Sequence, residues 1–264
     1  MPTSSIADRS PVNANGFRRR KLTGDNDAQT ATYDVWVTNS TGTADGRGLH
    51  IGVLALQGDF REHIFALEAT GATAGLVRRP ADLNSIDGLI IPGGESTTID
   101  KLSRIFGLAV PLKERISAGL PVYGSCAGMI LLADGIANPA YDSAGNPQQT
   151  FGGLDMTVRR NVFGRQRESF EADLQFAQLP ADGGESTPVH AVFIRAPSVE
   201  RAGDGVDVLA SVEAVGPGHV EPLDGAARIV AVRSGSKLAT SFHPEVTGER
   251  RIHELFIRMI RGEA

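Results

Sequence analysis

The feature that most constrains this chain is a set of short apolar runs, each cut off by glycine or by a break in hydrophobicity. Residues 50–56 (HIGVLAL) are apolar without alternation, as expected of a strand buried on both faces. Gln57-Gly58-Asp59 ends the run. Phe60, Ile64 and Leu67 then recur at helical spacing toward Gly71. Residues 74–77 and 88–91 read as further strands, the latter stopped by Pro92-Gly93-Gly94. A helix with Ile99, Leu102, Ile105 and Phe106 on one face follows, then a strand at 121–123 and a helix opening at 129–133. Strand alternating with helix predicts a three-layer α/β fold, a mostly parallel central sheet with helices on both faces. The second half reads differently. Residues 151–158, 169–173, 189–195, 206–215 and 227–232 look like strands joined by Gly/Pro turns, which predicts a mixed or antiparallel extension of the sheet. A last helix is expected over 249–261, with Ile252, Leu255, Phe256 and Met259 in register.

The first 48 residues do not share this punctuation. They are rich in Ser, Thr, Asn, Asp and Gly, with a basic cluster at Arg18, Arg19, Arg20 and Lys21. Residues 32–37 alternate like a strand, but nothing near them supplies a second strand. Such a segment buries too little apolar area to offset its ordering entropy. Residues 1–48 therefore read as a disordered or non-native extension, and 49–264 as a single domain.

Composition narrows the function classes. A net charge of −5 argues against nucleic-acid binding. No apolar run is long enough for a membrane span, and the start shows no apolar secretory signal. One cysteine, Cys126, allows no internal disulfide and suits a reducing, cytoplasmic setting.

That cysteine lies in Tyr123-Gly124-Ser125-Cys126-Ala127-Gly128, between a strand and a helix, with a glycine two residues away on each side. This is the glycine-flanked nucleophile elbow with a thiol in place of a hydroxyl. A helix start beside the sulfur favours its reactive, anionic form. A free cysteine is also among the most buried residue types; the flanking glycines and the strand-to-helix position favour the nucleophile.

Two more segments carry chemistry. In Ser241-Phe242-His243-Pro244-Glu245, Pro244 biases His243 toward extended backbone, where residues two apart share a side. Glu245 could then hold one imidazole nitrogen and leave the other to take a thiol proton. A surface histidine beside a solvated glutamate is the commoner fate of such a pair. In Pro92-Gly93-Gly94-Glu95-Ser96-Thr97, consecutive glycines after a buried strand can aim backbone N–H groups into a cleft. Together with the N–H of Ala127 they could form an oxyanion hole. An ordinary turn with Ser96 or Thr97 as N-cap explains the segment equally well. No metal-ligand cluster and no phosphate-binding glycine fingerprint stand out.

Taken together, these segments resemble the class I glutamine amidotransferases, and most closely the glutaminase subunit of pyridoxal 5′-phosphate synthase. The residues carrying the resemblance are Leu56-Gln57-Gly58, Arg61-Glu62-His63, residues 92–98, Gly124 to Gly128, residues 160–166, Ser169-Phe170-Glu171, residues 193–197 and residues 241–245. It covers essentially everything after the N-terminal segment. It implies a flavodoxin-like sheet and a Cys126–His243–Glu245 triad. L-glutamine would be held by Gly94, Glu95, Ser96, Arg160, Ile194 and Arg195, with an oxyanion hole at Gly94 and Ala127. It implies no cofactor and no metal, and a TIM-barrel synthase subunit as the partner that receives the ammonia. Ser125 stands where the family often has Thr, and residues 215–226 read as a longer loop than usual. His63 reads either as a second catalytic histidine or as a helix-surface or interface residue. His50, His190, His219 and His253 have no motif around them.

Overall fold

The computed structural model describes residues 17–26, 29–38, 45–162, 169–179, 187–212 and 227–264. Two compact units divide between Thr43 and Ala44. In the first, β1 (Phe17–Asn26) pairs antiparallel with β2 (Gln29–Thr38), in register from Phe17 opposite Thr38 to Asn26 opposite Gln29. The alternating segment at 32–37 therefore has the partner strand that composition alone did not suggest. The unit boundary falls a few residues before the compositional one because 45–49 are tied into the second unit. The Gly46 N–H donates to the Thr70 carbonyl (3.0 Å), and Arg261 donates to the carbonyls of Asp45 and Arg47 (2.8 Å each).

The second unit is built on one ten-stranded sheet. Its first half alternates strand and helix: β3 (His50–Leu54), α1 (Phe60–Glu68), β4 (Thr73–Val77), a 3-10 turn (Pro80–Leu83), β5 (Gly88–Ile91), α2 (Ser96–Ile105), α3 (Ala109–Ser117), β6 (Val122–Ser125) and α4 (Ala127–Leu132). Then come β7 (Ala133–Ile136), β8 (Leu154–Arg159), β9 (Ser169–Leu174), β10 (Val189–Ile194), β11 (Ser198–Ala202), β12 (Asp207–Val212), β13 (Arg228–Ser234), β14 (Lys237–Thr240), α5 (Pro244–Thr247) and α6 (Arg251–Arg261). The strand order is β4-β3-β5-β6-β14-β13-β11-β8-β7, with β12 on β13. From β4 to β14 every pairing is parallel; from β14 to β8 every pairing is antiparallel, and β7 rejoins in parallel. β9 and β10 form a separate two-stranded ribbon.

Both faces of the parallel half are covered. Leu54, Leu89, Ile91 and Val122 pack under Ile99, Leu112, Ile116 and Met129 from α2, α3 and α4. Ile51, Val53, Ile90 and Tyr123 face Leu67 of α1 and Ile252, Leu255 and Phe256 of α6. Neighbouring residues of β5 thus point to opposite cores, which is why the run shows no alternation. Each such large apolar side chain, fully buried, contributes about 1.5–3 kcal/mol.

Several local expectations change. On α2 the buried stripe is Ser96, Ile99, Asp100 and Ser103, while Ile105 and Phe106 are exposed. α2 stops at Ile105, so its last apolar residues leave the sheet. α3, β7, β11 and β14 are elements that the punctuation did not reveal; β7 and β14 are only four residues long. Residues 213–215 of one expected strand and the expected long loop at 215–226 lie outside the described residues. No helix among the described residues is long and apolar enough to cross a membrane.

Candidate active site

Parallel strands deliver their following loops to one edge of the sheet. Gln57-Gly58-Asp59 follows β3, Pro92 to Glu95 follows β5, Cys126 follows β6 and His243 follows β14. β3 lies between β4 and β5, so this edge holds the point where strand order reverses, the usual place for a ligand in an open α/β sheet.

Cys126 sits between β6 and α4 with φ 48° and ψ −101°. For a non-glycine residue this left-handed conformation costs on the order of 1–3 kcal/mol, and it projects the side chain out of the turn. Its N–H donates to the Thr240 carbonyl (2.8 Å), which ties the elbow to β14. The flanking glycines are sterically required. A Cβ on Gly124 would stand 2.5 Å from the Gly128 carbonyl carbon, and one on Gly128 would stand 2.1 Å from the Ile91 oxygen.

His243 and Glu245 meet by a route other than an extended strand. His243 (φ −110°, ψ 82°) is the N-cap of the one-turn helix α5, with Pro244 at its first position. Glu245 is therefore helical, and the turn brings its carboxylate back onto the ring. His243 Nδ1 lies 2.8 Å from Glu245 Oε1. Cys126 is the second group that acts on the ring, favouring its charged form together with Glu245. Phe242, fully buried against Phe193 and Phe176, anchors the turn. Gly93 is the floor under the ring: a Cβ there would stand 2.3 Å from His243 Cε1. Burial works against a charged His243, but the hydrogen bonds and negative charge of Cys126 and Glu245 outweigh it and push its pKa up to about 11. Burial raises Glu245 above the ordinary carboxylate range, against the pull of His243.

Beside the thiol lies a cleft lined by Gly94, Glu95, Ser96, Cys126, Ala127, Ile130, Arg160, Asn161, Ile194 and Arg195. Every residue expected around glutamine is therefore brought to one place. Glu95, rather than Ser96 or Thr97, caps α2: its carboxylate accepts from the Thr98 N–H (3.0 Å) and the Thr97 hydroxyl. Arg160 Nη2 donates to the other oxygen of Glu95 at 3.3 Å. Partial burial pushes Glu95 up, but these hydrogen bonds and the Arg160 charge hold its pKa below the usual value. Asn161 and Arg195 both have left-handed backbone (φ 52° and 48°), so two sharp turns after β8 and β10 form the far wall. The Gly93 carbonyl accepts from the Asp59 N–H (3.2 Å), and Gln57 Oε1 accepts from the Glu95 N–H (2.7 Å). Residues 163–166 of the motif beginning at Arg160 lie outside the described residues. Asp59, His243 and Glu245 bring potential metal-ligand atoms within 4.8 Å of one another, but His243 Nδ1 and Glu245 Oε1 already engage each other.

Two histidines differ from expectation. His63 is not at the surface of α1; it is fully buried, and with Leu67 it forms the inward edge of that helix. It lies 2.9 Å from His253, which has no sequence motif. Only the approach of α1 to α6 reveals the pair.

A thiol on a strained elbow, with an imidazole and a carboxylate beside it at the edge of a doubly covered parallel sheet, suits a cysteine-nucleophile enzyme of the α/β class. The comparison with known proteins makes this specific: residues 53–262 match the SNO glutamine amidotransferase family, and the chain belongs to it. The chain is 73% identical over 221 residues to the pyridoxal 5′-phosphate synthase subunit PdxT of Paenarthrobacter aurescens, covering 83% of this chain and 95% of that one. It is 72% identical over 224 residues to the subunit of the same name from Arthrobacter sp. strain FB24, at the same coverage. A crystal structure described as a glutamine amidotransferase superposes with a TM-score of 0.65 at 43% identity, covering 80% of this chain and 98% of that one.

Proposed function

We propose that this chain is the glutaminase subunit of a pyridoxal 5′-phosphate synthase, with Cys126, His243 and Glu245 as its triad. The observation that carries this reading is Cys126 in the wall of a cleft whose charges suit a free amino acid, with the buried His243–Glu245 pair acting on the thiol. Glu95 offers an anion for the α-ammonium group of glutamine; Arg160 and Arg195 offer cations for its α-carboxylate. Gly94, Ser96 and Ile194 complete the fit.

The Cys126 thiolate attacks the side-chain amide carbon, and the carbonyl electrons move to oxygen. Backbone N–H groups of Gly94 and Ala127 stabilise that oxyanion; one such donor is worth about 100-fold or more in rate. The charged His243 gives its proton to the leaving nitrogen as the C–N bond breaks, which releases ammonia and leaves a thioester. His243, now neutral, takes a proton from water as the water oxygen attacks the thioester. Collapse expels the thiolate and yields glutamate. Glu245 keeps the ring oriented and its charge balanced throughout.

The ammonia passes to a synthase subunit, built as a TIM barrel, without release to bulk water. Turnover by the isolated chain is low and rises when that subunit binds, because Gly93-Gly94 can change peptide orientation at little steric cost. Assaying glutamate release by the chain alone and with a recombinant synthase subunit tests this. Strong stimulation supports the reading; full turnover alone, unchanged by partner, removes the gating, and no turnover under either condition removes the function.

A further inference from the structure

The triad as described leaves one buried atom unexplained. Glu245 spends Oε1 on His243, while Oε2, shielded from solvent, has no hydrogen-bond partner. A buried carboxylate oxygen without a donor is costly, so its surroundings carry information. His63 Nε2 lies 3.6 Å from it. The His63 ring is itself held from both ends. Nε2 is 3.0 Å from Ser125 Oγ, and Nδ1 is 2.9 Å from His253 Nε2. The ring meets Tyr123 edge-on, with centroids 5.9 Å apart. His63, Ser125, Tyr123 and His253 are all fully buried.

A neutral imidazole has one N–H and one lone pair, so His63 cannot donate from both nitrogens. His253 Nδ1 is buried without a hydrogen-bond partner, so the His253 proton is better placed on Nε2, where it donates to His63 Nδ1; the single His63 proton then sits on Nε2, facing Ser125 Oγ and Glu245 Oε2 together. At 3.6 Å the contact to Glu245 is longer than a hydrogen bond; contacts of this kind tighten in substrate complexes.

We propose that His63 is a positioning residue of the triad: its Nε2–H, directed by His253 and shared with the Ser125 hydroxyl, steadies the free oxygen of Glu245 so that the carboxylate keeps His243 aligned on Cys126. The proposal rests on the triad reading above. Two histidines thus flank one carboxylate with opposite tasks. His243 carries the charge. Burial, then His253 and His243, hold the His63 pKa well below its ordinary value, so His63 donates a hydrogen bond without competing for the proton. Around Glu245 the other ionisable groups are His243, Asp59 and Tyr123, with Cys126 beyond His243. None of them is shown donating to Oε2.

The test uses the full chain assembled with its synthase subunit, measuring glutamate release against pH. It also follows iodoacetamide alkylation of Cys126, which is the only thiol. His63→Asn places its amide near Nδ1 and leaves Oε2 without a donor; His63→Gln returns an N–H near Nε2. Expected for His63→Asn are a kcat lowered about ten-fold or more, a KM for glutamine within about two-fold, and an acid limb moved to higher pH for both turnover and alkylation. The limb moves up because an unsupported Glu245 holds its proton to higher pH. His63→Gln restores most of the loss. Wild-type kcat and an unmoved limb in His63→Asn overturn the proposal. So does equal impairment of both variants with the limb unmoved, which is the signature of packing alone. If His63→Asn does not fold, Ser125→Ala decides: removing the competing acceptor is expected to lower the limb, and an unmoved or raised limb overturns the proposal. Cys126→Ser, run in parallel, separates the two readings. Turnover surviving in that variant breaks the triad itself, whatever the His63 variants do.

Discussion

The two halves of the sheet build the site in different ways. In the parallel half, β5 and β6 are buried along their whole length, and their C-terminal ends carry the glycine-rich turns that hold the thiol and the Gly93-Gly94 peptide. Beyond it, β8 of the antiparallel half and β10 of the separate two-stranded ribbon alternate buried and less buried positions, with one face toward the core. The first half thus fixes reacting atoms at one shared edge. The antiparallel half and the ribbon together supply a wall, through Arg160 after β8 and through Ile194 and Arg195 at the end of β10. Chemistry is concentrated where the backbone is most constrained, and substrate recognition where side chains reach in from strand ends.

That contrast can be broken by experiment. Its strongest form is that only the parallel half touches the reacting bond. Cys126→Ala is expected to abolish glutamate release while leaving the melting temperature near wild type; release at a near wild-type rate would remove Cys126 from the mechanism. Next in size is a packing effect in the same half. Gly128→Ala places a methyl 2.1 Å from the Ile91 carbonyl oxygen, so α4 must shift. A loss of about 1–3 kcal/mol, with reduced soluble yield, is expected in denaturant titration. Unchanged stability would show that the elbow has slack.

In the wall, Arg160→Ala is expected to raise the KM for glutamine about ten-fold with a smaller change in kcat, because it removes ground-state binding of an α-carboxylate. A pure kcat effect would move Arg160 from the wall to the chemistry.

Two smaller effects concern pH. Glu245 is raised by burial, and the mechanism needs it ionised, so kcat/KM should fall on acidification at a pH above the ordinary glutamate value of about 4.3. Burial lowers the His253 pKa to about 4, and His63 is lowered also. The unfolded chain takes up protons on these residues below about pH 6.5, whereas native His253 resists until about pH 4 and native His63 is held lower than its ordinary value too, so stability declines as the pH falls below about 6.5. His253→Gln should flatten the dependence of melting temperature between pH 7 and pH 5; an unchanged slope would show that other groups set it. The smallest effect is expected outside both halves. Deleting residues 1–43 should leave turnover unaltered, since all cleft residues belong to the unit from Ala44 to Ala264.

The sequence by itself determined the parallel core and marked Cys126 as the candidate nucleophile. Strands buried on both faces have no polar side to hide, so they stand out as apolar runs ended by glycine. An elbow whose neighbours nearly touch admits only glycine at Gly124 and Gly128, which makes Cys126 legible without coordinates. The proposed triad and the residues proposed around glutamine come from family resemblance, and the structure brings the latter to one cleft. Only the tertiary structure decided the rest. β7 and β14 are too short to carry a pattern. The helical turn that joins His243 to Glu245 looked like extended chain, because Pro244 suits both the residue after an extended position and the first position of a helix. Glu95 became the cap of α2 because its carboxylate curls back onto Thr98. His63 and His253 are 190 residues apart; Arg61-Glu62-His63 carries the family resemblance, but nothing local marks His253 or pairs the two. A helix-face pattern tells that a residue points inward, but which buried groups it meets there depends on how α1, α6 and β6 pack together, and that is set by the whole core rather than by any segment of it.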